Sequence, residues 1–297
     1  MNAHYDYVIV DLDHVFYRNY YQLNYSKKNL EFGALFGSVR SLNMIREKFR
    51  DSKCFVASGI SKIEDTRQRK LLPDYKAHRK PLPEEIWEQR LALSLFARYM
   101  GLHCAYLPYE TDDIIGILTS YWRSRKHSVL VVSGDHDMFQ LVSKRIKVYD
   151  PIKKVLWDST DVFNKIQVYA NEIPIYKTFV GDSSDNIKGI SGMGPKKSEI
   201  IIALLRASKG NMIKKFPKML GKVKKLIEDN YKNISVDVKS LSNNYEAIKL
   251  LKFKDLDIKE RRTIKKIISS KVKQNKTELK KIIKKFRMNS LLSLLEE

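Results

Sequence analysis

Cysteine is nearly absent: the chain of 297 residues has two, Cys54 and Cys104. Two thiols build neither a disulfide framework nor a zinc site, and both fall in strand-like runs that read as core in a reducing environment. Long apolar runs are missing too. No stretch approaches the roughly 20 consecutive apolar residues of a membrane-spanning helix. The opening, MNAHYDYVIVDLD, places acids where a signal peptide carries a basic start and an apolar stretch. The expectation is a cytoplasmic protein with no membrane partner. Acidic residues are the third shortage: Asp plus Glu number 34 against 56 Lys plus Arg, a formal net charge of +22. That surplus points to a polyanion, nucleic acid first and an anionic membrane second. A hydrophobic share of 43% with 10% aromatics is globular composition.

The charge is unevenly spread. Residues 207–297 hold 25 Lys/Arg and 10 Asp/Glu, a net of +15; residues 1–206 hold 31 and 24, a net of +7. The first part alternates strand and helix signals. Strand-like runs are Tyr7–Val10, Cys54–Ala57, His103–Leu107 and Val129–Val132. Helical spacing appears over 33–50, over 84–100 with a stripe of Trp87, Leu91 and Leu95 stopped by Gly101, and after Thr111 as a cap. This alternation predicts an α/β fold with a parallel sheet, whose ligands bind at the carboxyl ends of the strands. The remainder is helical and lysine-rich. The amphipathic segment 252–287 reads either as solvated helix surface or as a phosphate-contacting face.

Acids follow the strands. The first strand ends in Asp11-Leu12-Asp13, the third in Glu110-Thr111-Asp112-Asp113, and the fourth in Asp135-His136-Asp137; Asp182 and Asp185 come in a later turn. Carboxylates gathered at one sheet edge repel one another unless something neutralises them. Lysines could do so, but Mg²⁺ and Mn²⁺ suit oxygen ligands better, and two such ions about 4 Å apart are a common device for phosphodiester hydrolysis. The ordinary alternative is that each acid is a helix cap or turn residue.

Residues 66–81 (TRQRKLLPDYKAHRKP) embed Tyr75 among six Lys/Arg, including Lys76 and Arg79. Cations hold phosphates and a ring stacks on a base, so the segment suits a nucleic-acid end; otherwise it is a solvated loop. Residues 187–198 (IKGISGMGPKKS) combine Gly189, Gly192 and Gly194 with Pro195, Lys196 and Lys197. Glycines permit close turns, Pro suits the first helical position, and the helix start binds phosphate through backbone N–H groups.

Two family resemblances arise. Asp11-Leu12-Asp13-His14-Val15 resembles the nucleophile motif of haloacid-dehalogenase-type phosphatases, with Asp11 as nucleophile, and residues 181–186 look like that family's late acidic motif. This leaves the other acids, the Tyr75-Lys76 segment, the glycine turn and the charge unexplained. The ordered set VDLDHVFYR (10–18), LPDYKAHR (72–79), YETDD (109–113), SGDHDMFQL (133–141) and VGDSSDNIKGISGMGPKKS (180–198) resembles the 5′-nuclease family of phage 5′→3′ exonucleases, flap endonucleases and the 5′-nuclease domain of bacterial DNA polymerase I. Its size suggests a stand-alone enzyme.

The resemblance implies a PIN-like central, mostly parallel sheet flanked by helices. It implies an α/β nuclease domain over 1–172 with an arch over about 66–90, and a helix–three-turn–helix with a basic helical DNA-binding region over 173–297. Asp11, Glu110, Asp112, Asp113, Asp135, Asp137, Asp182 and Asp185 fall on the family's metal-site acids, which would hold two Mg²⁺ or Mn²⁺ ions. Lys76 and Arg79 fall on its catalytic basic positions, acting with Asp11, Asp113 and Asp135. Arg18, Tyr75, Gly189, Gly192, Gly194, Lys196 and Lys197 fall on substrate-binding positions, and the glycine turn on a K⁺ site. The implied partner is DNA with a 5′ end or flap, or an RNA/DNA hybrid, bound by a monomer in the cytoplasm, the host's if phage-encoded. One departure is Ser58, where the family usually carries Asp at the end of the second strand. The others are Leu12, where it usually carries Gly, and the extra acid Asp13. A branched-DNA-binding protein with weakened catalysis and a ribonuclease of related fold are the alternatives.

Overall fold

Short runs of β-branched and aliphatic residues form the sheet because both of its faces are covered. The computed structural model describes residues 4–25, 31–60, 62–80, 83–208 and 212–295. In chain order the sheet domain contains β1 (Tyr7–Asp11), α1 (Leu12–Tyr25), α2 (Gly33–Lys48), β2 (Lys53–Gly59), α3 (Arg67–Leu71), α4 (Glu84–Tyr99), β3 (His103–Leu107), α5 (Thr111–Arg123), β4 (Val129–Val132), β5 (Ile146–Asp150), β6 (Val155–Trp157) and α6 (Ser159–Ile166). There follow α7 (Ile173–Val180), a two-stranded ribbon of β7 (Gly181–Asp182) and β8 (Ile187–Lys188), α8 (Pro195–Ala207), α9 (Leu220–Asn230), α10 (Val238–Ile248), α11 (Ile258–Ser269) and α12 (Lys276–Lys285).

The six-stranded sheet has the order β3-β2-β1-β4-β5-β6, parallel except for the last strand. The expected α/β class and mostly parallel sheet are thus what forms. The chain moves outward from β1 to β3, then crosses back to β4 on the other side of β1. That reversal opens a crevice outside the carboxyl ends of β1 and β4. Within β1, Val8 and Val10 enter one core with α1, α2, α4 and α12, while Ile9 enters the other with α5, α7, α8 and α11.

Three local expectations change. The stripe Trp87, Leu91 and Leu95 faces solvent at 49%, 63% and 38% exposure; α4 instead buries Gln89, Ala92, Leu93, Phe96 and Ala97. Small alanines let its backbone approach, which a stripe of large residues would prevent. Thr111 does not cap α5: it is the first helical residue, after Glu110, and its hydroxyl donates to Asp13 and accepts from the Gly59 N–H at 2.8 Å. The expected division at 172/173 is crossed by both cores, because α7–α11 contribute to one and α12 to the other.

The lysine-rich end is a strap. Its α11 follows the edge of the sheet from Tyr109, whose hydroxyl donates to Glu260, to Ser270 beside His103 at 3.4 Å. The Asn275 N–H then donates to the Tyr99 carbonyl at 2.8 Å, and α12 runs back along α4 until Lys285 meets Glu88 at 2.8 Å. Ile264, Ile268, Leu279 and Ile283 are buried beneath it. Its lysines face outward, around the bend at the amino-terminal end of β3.

Candidate active site

The acids arrive at the crevice by different routes. Asp11 ends β1 and is 3% exposed. Its carboxylate accepts from the His14 N–H at 2.8 Å and the Ser133 hydroxyl at 2.9 Å. Asp135 follows β4 and accepts from the Asp137 N–H at 2.8 Å. Asp112 stands in the first turn of α5. Among the described residues, no cation donates a hydrogen bond to these three. Burial, then the repulsion of Asp135 and Asp11, holds the Asp112 carboxyl well above its ordinary range. Burial likewise raises Asp11 to about 6.

A second group lies beside the first. Ligand oxygens of Asp137, Asp182 and Asp185 lie within 4.8 Å of one another. Here cations are already in place. Lys177 donates to Asp137 and, at 2.7 Å, to Asp182. Lys76 donates to Glu110 at 2.9 Å and lies 3.7 Å from Asp185, which also meets Arg79 at 2.9 Å. Burial works against the Lys177 charge, yet Asp137 and Asp182 hold its pKa above the usual lysine range. Burial raises Asp137 to about 6 despite Lys177. Burial also opposes the Asp182 charge, but Lys177 and Ser184 bring its pKa below the ordinary value.

Both groups suit a hard divalent cation: every donor is a carboxylate oxygen, and the three outer ones already converge. Asp135 and Asp11 add to burial in raising Asp112, which is how a carboxylate responds to neighbouring like charge.

One expected site residue lies elsewhere, and another sits in the site in a different role. Asp113 is 0% exposed and turned away from the crevice. Arg67 donates to both its oxygens at 2.8 Å, and Gln68 and the Leu251 N–H donate at 2.9 Å. Consecutive residues on a helix point about 100° apart, so Asp112 and Asp113 cannot both face the crevice. Asp113 instead ties α3 and the 250s segment to α5. Tyr75 is 3% exposed, not a surface platform for a base. Its hydroxyl donates to Glu110 at 2.7 Å and Asp185 at 3.0 Å. Burial, then Glu110 and Asp185, pushes its pKa upward, so it stays a proton donor to both carboxylates.

The segment expected as an arch is docked over its first half. Arg67 bonds the carbonyls of Glu246 and Lys249, and the Lys76 N–H donates to the Asp185 carbonyl at 2.9 Å. Its second half begins α4, where Arg90 closes the network around Asp13. Arg90 donates to Asp13 at 2.9 and 3.1 Å, to the Ser58 hydroxyl at 3.0 Å and to the Gly59 carbonyl at 2.6 Å. Ser58 itself donates to Asp13 at 3.0 Å. The carboxylate missing from position 58 is therefore present beside it, delivered from α1 rather than β2.

In the glycine turn, a Cβ on Gly189 would lie 2.3 Å from the Phe179 carbonyl oxygen, so only glycine fits there. Gly192 has φ +78°, and Gly194 precedes Pro195 at the start of α8 with open space beside it. Lys196 is solvent-exposed at 92%, whereas Lys197 turns back to the Gly192 carbonyl at 3.0 Å. Arg18 lies on α1 with its Nε buried and unpaired among the described residues.

Lys177, Arg67 and Arg90 were not foreseen in these roles. Lys177 had a signal: it is the only charged residue in the otherwise apolar helix IPIYKTFV. Arg67 and Arg90 had none beyond general basicity.

Comparison with known proteins agrees with this fold. The family model of the 5′-3′ exonuclease N-terminal resolvase-like domain matches residues 6–167. A 5′-3′ exonuclease of Aquifex aeolicus is 30% identical over 301 residues, covering 96% of this chain and 98% of the relative. DNA polymerase I of Caldicellulosiruptor bescii is 29% identical over 205 residues, 66% of this chain and 24% of the relative. The fold resembles that of the T5 D15 protein co-crystallised with metal ions, with a TM-score of 0.64 at 16% identity over 95% of this chain and 98% of that one. The chain belongs to the 5′-3′ exonuclease family.

Proposed function

We infer that this protein is a structure-specific, metal-dependent 5′ nuclease that hydrolyses phosphodiester bonds at DNA 5′ ends or flaps. The observation that carries the reading is the gathering of carboxylates from β1, β4, α5 and the β7–β8 ribbon at the crevice where strand order reverses. That arrangement suits hard cations, and the surrounding +22 charge suits a polyanion.

Asp11, Asp112 and Asp135 would hold one divalent ion, and Asp137, Asp182 and Asp185 a second, with Glu110 joined to Asp185 through Tyr75 and Lys76. When bound, such ions lower the pKa of a water and neutralise charge on the phosphate. Lys76 and Arg79 stand beside them and supply further positive charge to the phosphate. Tyr75 orients Glu110 and Asp185 by donating to both. The glycine turn and α8, with Lys196 exposed, would grip the backbone of the adjoining duplex without reading sequence. Mg²⁺ or Mn²⁺ as the ions, K⁺ at the turn, action on RNA/DNA hybrids, a monomeric state and a cytoplasmic setting complete the proposal. No helix among the described residues is long and apolar enough to cross a membrane.

The test is a 5′-labelled flap DNA and a matching blunt duplex with Mg²⁺, Mn²⁺ or EDTA. Metal-dependent cutting at the flap junction or 5′ end supports the reading. Binding without cutting in any metal would reduce the protein to a branched-DNA binder.

A further inference from the structure

The outer carboxylates hold an ammonium where an ion would sit. Lys177 projects from α7, whose Ile173, Pro174, Ile175, Thr178 and Phe179 are buried, so its backbone is fixed by packing. Its Nζ donates to Asp137 and, at 2.7 Å, to Asp182, two of the three acids whose ligand atoms converge within 4.8 Å. The side chain is 22% exposed, so four flexible bonds can carry the ammonium outward. Among the described residues, no cation donates in this way to Asp11, Asp112 or Asp135.

We propose that Lys177 is a tethered competitor for the outer ion position. A divalent cation enters there only as the ammonium leaves Asp137 and Asp182, because two positive charges cannot share the same carboxylate oxygens at contact distance. Ions therefore load in order, the inner position first and tightly, the outer one weakly. Lys177 is a positioning residue in this account: it keeps the outer carboxylates together and neutral until an ion takes them over. The inference rests on the metal-dependent reading above.

The experiment is Mn²⁺ binding to the full chain, without DNA, followed by calorimetry and by the free-Mn²⁺ paramagnetic resonance signal. Wild type is expected to show a tight and a weak class. Lys177→Met, matched in length and uncharged, should tighten the weak class about tenfold and leave the tight class within about threefold. Lys177→Arg should retain the wild-type pattern, and Asp182→Asn should abolish the weak class in either background. An unchanged or weakened weak class in Lys177→Met overturns the competitor role. If that variant does not fold, as judged by circular dichroism, Lys177→Gln is measured against the same expectation. Absence of bound Mn²⁺ in wild type would overturn the metal reading itself, a failure distinct from that of the lysine's role.

Discussion

Asp11, Asp112 and Asp135 stand at the ends of β1 and β4 and in α5, and among the described residues no lysine or arginine is hydrogen-bonded to them. Asp137, Asp182 and Asp185 are the same residue type in the neighbouring group, and they meet Lys177, Lys76 and Arg79. The two groups therefore differ in the cations that meet them. In the inner group burial raises Asp11, and burial with the repulsion of Asp135 and Asp11 raises Asp112. In the outer group cations from α7 and from the docked 66–80 segment meet the acids: Asp182 falls below its ordinary value although burial opposes this, while burial keeps Asp137 and Asp185 above theirs. The outer group carries ammonium and guanidinium partners that the inner group lacks among the described residues.

The largest expected effect is in the inner group. Asp135→Asn should lower single-turnover cleavage of a 5′-flap on the order of a thousandfold while DNA affinity stays within about threefold. Cleavage near the wild-type rate would remove Asp135 from the centre. Asp113→Ala separates position in the motif from position in the site. It should cost roughly 3 kcal/mol of stability in urea unfolding, because Arg67 is left buried without its partner, and leave Mn²⁺ affinity unchanged. A specific loss of metal with unaltered stability would return Asp113 to the ion-binding set.

Asp182→Asn should cost less than Asp135→Asn, on the order of 10- to 100-fold in turnover. Equal losses at the two positions would erase the distinction between the groups. The smallest expected effect is the pH dependence of metal stabilisation. Asp11 and Asp137 are raised to about 6, while the unfolded chain releases the same protons near pH 4. Between these values the native state binds more protons, so metal-free stability contributed by these acids falls as pH rises. Ion binding needs the charged carboxylates and strengthens over the same window. The rise in Tm on adding Mn²⁺ should be small at about pH 5 and a few degrees at about pH 7.5. A rise independent of pH would assign the bound ions to other ligands.

Much of this was open to reading in the amino-acid order. Acids directly after aliphatic runs such as YVIV and VLVV determined that carboxylates would stand at the carboxyl ends of parallel strands, since alternation of strand and helix leaves few other sheets. The spacing of Gly189, Gly192 and Pro195 likewise determined a tight turn into a helix. Tertiary structure decided which neighbour of a pair faces the crevice. Asp112 and Asp113 look equivalent in sequence, and only the packing of α3 and the 250s segment against α5 takes Asp113 away to Arg67. It also decided the pairings. Tyr75 and Glu110 are 35 residues apart, Arg90 and Asp13 are 77 apart, and Lys177 and Asp137 are 40 apart. Hydrogen bonds act over about 3 Å in space and carry no trace in the spacing of residues along the chain.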